Sequence, residues 1–107
     1  MPQEVSVELQ RVVERWRQLP LDRALSYAAR VRALVQSLAD GVAETSGVPA
    51  SAVPDLGPAT LMDQLTVMVH DACAAAAPTA ATSASVTPTA VTSRLAEDLA
   101  TLRRELA

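Results

Sequence analysis

Two residues, His70 and Cys73, hold most of the reactive chemistry available to this chain, and each is the single example of its type in 107 residues. Three positions apart, they share one face of a helix. An imidazole beside a thiol can accept its proton and leave a thiolate nucleophile, and both side chains ligate zinc. Neither chemistry is complete. Zinc takes about four ligands, and Asp63 and Asp71 do not share a turn with both residues. A nucleophile needs an orienting third group and donors for an oxyanion. Cys73 also heads the run Cys73-Ala74-Ala75-Ala76-Ala77, where a thiol serves as a small packing residue. No catalysis, metal or cofactor is expected from this pair.

The carboxylates add little. Asp40 and Glu44 lie four apart beside Gly41 and are expected to face water, and the adjacent Glu97 and Asp98 point to different faces of a helix. The Glu-x-x-His pairs of carboxylate-bridged metal bundles are missing, as are the Gly-rich and Gly-Lys-Ser/Thr phosphate loops. One stretch, Asp55-Leu56-Gly57-Pro58-Ala59-Thr60-Leu61, resembles the loop and helix start of acyl carrier proteins, which read Asp-Leu-Gly, a variable residue, then Asp-Ser-Leu. In that family the serine carries the phosphopantetheine arm. The resemblance covers seven residues; Thr60 stands where the serine would be and Ala59 where the flanking aspartate would be. Membership of that family is not inferred. Met62, Met68 and Trp16 suit an adaptable groove by type, and a helix core by spacing.

The elements that must position these residues are helical. Val5, Leu9, Val12, Val13, Trp16 and Leu19 recur at three and four, which predicts a helix over about 5–19, halted by Pro20. Ala24, Ala28, Val31, Val35, Leu38 and Val42 keep the same rhythm over 21–45, and Leu21, Leu25, Tyr27 and Leu34 widen the stripe enough to suggest more than one neighbour. That helix stops either at Gly41 or at Gly47. Residues 46–57 hold Pro49, Pro54, Gly47 and Gly57, a long linker that suits a crossing over the bundle end. A third helix over 58–77 carries Leu61, Leu65, Met68 and Ala72 on one face. A Ser/Thr/Ala-rich connector, 79–87, precedes a fourth over 88–106, where Val91, Leu95, Leu99, Leu102 and Leu106 approach a heptad seam.

These faces predict an all-α fold, a three- to four-helix bundle, mainly antiparallel, over residues 1–107. The core must be built from Leu, Val and Ala, because 21 residues are alanine and the only aromatics are Trp16 and Tyr27. Such a thin core favours added burial by oligomerisation. A single cysteine excludes an internal disulfide, and no run of 18 apolar residues suggests a membrane span. The first residues lack the pattern of a secretory signal, so a cytoplasmic location is expected.

Charge is uneven. Residues 1–32 hold six arginines against four acids, residues 33–93 hold five acids and no arginine, and the net charge is −3 with no lysine. Arg11, Arg15, Arg23, Arg30 and Arg32 can be read as a weak basic patch for a carboxylate-rich or phosphate partner, or as ordinary surface. Nucleic acid is not an expected partner, because several phosphate contacts are needed. The leading expectation is therefore a non-enzymatic interaction protein that forms a homo-oligomer, a dimer first, or docks another protein's helix. Its proposed interface is Val91, Leu95, Leu99, Leu102 and Leu106, with the last helix able to sit on another chain. A bundle holding an apolar ligand is the alternative. A transcription-associated accessory domain comes third, on the tight Leu19-Pro20-Leu21-Asp22 connection between two helices.

Overall fold

A computed structural model describes residues 1–76 and 88–107; for 88 and 89 it describes the backbone alone. The connector expected over 79–87 lies outside the described residues. Four α-helices form an all-α bundle with antiparallel packing: α1, Gln3–Gln18; α2, Leu21–Ser46; α3, Leu61–Ala76; and α4, Pro88–Leu106. A 3-10 turn, Pro58–Thr60, leads directly into α3.

Proline starts both of the first two helices in the same way. Pro2 and Pro20 occupy the N-cap positions with extended ψ angles of 143° and 151°. Their carbonyls accept the amides of Ser6 at 3.1 Å and Ala24 at 2.9 Å, in place of a side-chain cap. The same Pro20 ends α1, because the residue before a proline is pushed out of helical geometry. Leu19 accordingly sits at φ −73°, ψ 138°.

Helix α2 passes through Gly41 and stops at Gly47. Gly47 takes the left-handed conformation, φ 70°, and the amide of Val48 reaches back to the carbonyl of Ala43 at 3.0 Å. That closure satisfies carbonyls left over at the helix end. The chain does not then cross the end of the bundle. Residues 48–57, here called the strap, turn back along the outside of α2: Ser51 and Val53 meet Gln36, and Asp55 meets Arg32.

The core joins Val5, Leu9 and Val12 of α1, Val31, Leu34 and Val35 of α2, Leu61, Met62, Leu65 and Val69 of α3, and Leu95, Leu99, Leu102 and Leu106 of α4. Trp16 and Tyr27 are only half-buried at its margin. Two helix pairs dominate the packing, α1 with α4 and α2 with α3, and α4 also touches α3. Within the antiparallel bundle, α1 and α4 run the same way. Glu8 meets Arg103, Arg15 meets the carbonyl of Leu106, and Gln18 shares a cleft with Ala107.

The two expected stops of α2 give a paired prediction. A Cβ at Gly41 meets nothing within 4 Å in a helical conformation, whereas Gly47 needs a positive φ. Gly41→Ala should stabilise the chain by roughly 0.5–1 kcal/mol. Gly47→Ala should destabilise it by about 1–2 kcal/mol. Urea unfolding followed by circular dichroism reads both, and effects of the same sign would contradict this helix end.

Candidate functional site

Among the sequence-predicted chemical residues, His70 is exposed on α3 and Cys73 is half-buried against the core. Burial pushes the Cys73 thiol up from its ordinary value, and the chain's amino terminus opposes that shift more weakly. No group of three or more His, Cys, Asp and Glu able to hold a metal occurs among the described residues. Thr60, at the carrier-like position, donates its hydroxyl to the carbonyl of Gly57 at 3.0 Å. Gly57 in turn donates its amide to the Asp55 carboxylate at 3.1 Å. The stretch is thus a turn closed on itself. Asp40 accepts a bond from Gln36 at 2.8 Å, and Glu44 is exposed. Met62 lies in the core, with Met68 and Trp16 packed half-buried against it.

The predicted interface row is placed inside the chain. Leu95, Leu99, Leu102 and Leu106 are buried, the last three with no exposed surface, and Val91 is half-buried. Of the five predicted basic residues, only Arg11 and Arg15 come together. They line a surface cleft of about 420 Å³ with Gln18 and, from the other end of the chain, Arg103. Arg11 binds one oxygen of Glu8 at 3.1 Å and Arg103 binds the other at 2.9 Å, while Arg15 donates to the carbonyl of Leu106 at 2.9 Å. The remaining three lie apart: Arg23 over the Tyr27 ring at 5.9 Å, Arg30 on Glu105 at 2.8 Å, and Arg32 on Asp55 at 3.1 Å.

The shared direction of α1 and α4 accounts for the arginines of this cleft. Two helix C-termini lie side by side, each carrying partial negative charge on its last carbonyls. Arg15 and Arg17 sit in the last turn of α1, and Arg103 and Arg104 in the last turn of α4. Glu8 then holds two of the cleft's guanidinium groups in place from its own half-buried position.

Two surface features were not read from the sequence. On α2, Leu21 and Leu25 are 70% and 51% exposed, and Ala29 and Ala33 continue their four-residue spacing as exposed positions. The wide stripe expected there is therefore split: Tyr27 and Leu34 join the core side, and Leu21 and Leu25 face out. The second feature is a groove of about 240 Å³ beneath the strap, between Ala29, Arg32, Ala33 and Val35 of α2, Gln64 of α3, and Val53 and Pro54. Gln36 fastens the strap with both ends of its amide, accepting from the Val53 amide at 2.8 Å and donating to the Ser51 carbonyl at 3.0 Å. Gln64 donates to the Pro54 carbonyl at 2.9 Å. A glutamine 15 and 17 residues away from its partners looks in sequence like any solvent-facing polar residue. The only prior signal was the pair of glycines at the strap's ends.

Comparison with protein-family models, with curated proteins and with solved structures found no match to this chain. No described helix is long and apolar enough to cross a membrane.

Two predictions follow from these sites. Glu8→Ala removes the carboxylate shared by Arg11 and Arg103, which join α1 to itself and to α4. It should cost about 1 kcal/mol, a value reduced for partial exposure, against little for the exposed Glu14→Ala; chemical denaturation with equal loss at both positions would contradict the clamp. The raised pKa of Cys73 lowers its thiolate fraction near neutral pH. Iodoacetamide should therefore label it more slowly in the folded chain than in urea, and the lag should shrink as pH is raised through the thiol range.

Proposed function

We propose that this all-α bundle is a non-enzymatic interaction protein that self-associates, forming a dimer, through the outer row of α2. The observation that supports this reading is the exposure of Leu21 and Leu25 in line with Ala29 and Ala33. Positions four apart lie along one strip of a helix. Two large apolar side chains followed by two small ones offer both knobs and room for another helix to approach closely. Contiguous exposed apolar surface of this kind marks contact sites more often than isolated leucines do.

The α4 row is a costlier interface. Leu95, Leu99, Leu102 and Leu106 are buried in the chain's own core, so two chains can use them only by exchanging α4. Leu21 and Leu25, the large side chains of the α2 row, are exposed already and demand no such rearrangement. A partner protein's helix is the other occupant that suits the same strip, read by the same spacing.

Light scattering coupled to size exclusion, run from micromolar to millimolar protein, tests the proposal. The mass should rise from one chain toward two. Leu21→Asp with Leu25→Asp should hold it at one chain while leaving the far-ultraviolet dichroism of the helices unchanged. A one-chain mass across the whole range, or a dimer untouched by the double substitution, would overturn self-association through this row.

A further inference from the structure

The strap shows what this flank of α2 binds, because it packs along the flank and its Val53 and Pro54 form one wall of the groove. Its recognition is by backbone at the centre. The Gln36 amide pairs with the Ser51 carbonyl and the Val53 amide on either side of Ala52, much as a neighbouring strand would, and Gln64 takes the Pro54 carbonyl. Side chains supply the rest. Val53 and Pro54 face the groove between Ala29, Ala33 and Val35, and the Asp55 carboxylate reaches Arg32 at 3.1 Å. The strap is bounded by Gly47 at φ 70° and Gly57 at φ 90°, two backbone conformations that let a segment turn sharply away from the helices at both ends. Its other apolar side chains, Val48 and Leu56, are 54% and 62% exposed. The strap is therefore held by polar fasteners rather than by deep apolar burial.

We propose that this groove is a docking site for an extended segment of another protein bearing valine, proline and an acidic residue in succession, with the strap as the chain's own displaceable occupant. Gln36 and Gln64 read the incoming backbone, the small side chains of Ala29 and Ala33 leave room for valine and proline, and Arg32 selects the acid. Extended chain containing proline loses less freedom on binding than a flexible one. The tethered strap competes at high effective concentration, so a free segment gains access when the strap is weakened. The inference rests on the reading of the chain as a docking protein; the groove shares Ala29 and Ala33 with the α2 row but not Leu21 and Leu25, which the double aspartate substitution tests separately. A chain that stays at one-chain mass and still binds here overturns self-association alone.

The probe is a synthetic peptide of residues 48–56, Val-Pro-Ala-Ser-Ala-Val-Pro-Asp-Leu, titrated into the full chain carrying Val53→Gly and Asp55→Ser, with binding followed by amide chemical shifts. Saturable shifts are expected at Ala29, Ala33 and the side-chain amides of Gln36 and Gln64, at least tenfold tighter than in the unaltered chain. Adding Gln36→Ala, or changing the peptide's aspartate to serine, should weaken binding about tenfold. If the strap-weakened chain keeps its helical dichroism and yet shows no saturable shifts at millimolar peptide, the groove serves its own strap only and the proposal falls. Binding of equal strength with Gln36→Ala would also overturn it, by placing the peptide elsewhere.

Discussion

Leu95, Leu99, Leu102 and Leu106 close the bundle from the last helix back onto the first, and the rest of the packing depends on that closure. Helix α1 has α4 as its main neighbour and makes few close approaches to α2, its neighbour in sequence. Val5, Leu9 and Val12 therefore owe their burial chiefly to residues some 90 positions away. Each fully buried leucine contributes on the order of 1.5–3 kcal/mol, so four of them approach the whole net stability of a small domain, about 5–15 kcal/mol. A chain with two aromatic residues has few other large side chains to spend on its centre. The α4 leucines are committed to folding before they are available to anything else.

That commitment carries an electrostatic consequence. Helices packed side by side in the same direction bring like ends together, where the unpaired carbonyls of both C-termini repel. Arginines in both last turns offset this, and Arg15 crosses from one helix to a carbonyl of the other. The apparent basic excess of residues 1–32 thus has a use within the fold. Arg11, Arg15, Arg30 and Arg32 each meet an acidic group or a carbonyl of this chain, and Arg23 meets an aromatic face. Counting charge along the chain could not reveal this, because the partners Glu8, Glu105 and Asp55 lie in three separate segments.

Helical periodicity made the fold class legible. Spacings of three and four in all four apolar rows led to a bundle, and the proline positions explain two helix starts and one stop. What periodicity could not assign was which side of a broad stripe faces inward. Ala24, Val31 and Val35 are buried and Ala28 half-buried on the inner side of α2, the helix that pairs with α3. Leu21 and Leu25 stay exposed, although hydrophobicity alone ranks them above alanine for burial. Gly41 and Gly47 were equally opaque, since only the sign of φ separates a glycine that continues a helix from one that ends it. Direction was hidden as well, for a row of leucines reads the same whether its neighbour runs with it or against it.

The strap follows from the same shortage of large apolar side chains. Helix α2 is ten residues longer than α3, and the chain covers part of its flank with extended backbone instead of another helix. Extended backbone cannot satisfy its own amides and carbonyls as a helix does, so its polar groups must be met from outside, and Gln36 and Gln64 meet them. Each such bond has a modest net value, about 0.5–1.5 kcal/mol, and the exposed Arg32–Asp55 pair adds less. The helices, by contrast, are held by Val31, Leu34 and Val35 in the core. Local opening of the strap therefore requires less free energy than unfolding of the bundle. The α2 flank is the part of this protein that can change its covering while the leucine closure behind it stays intact.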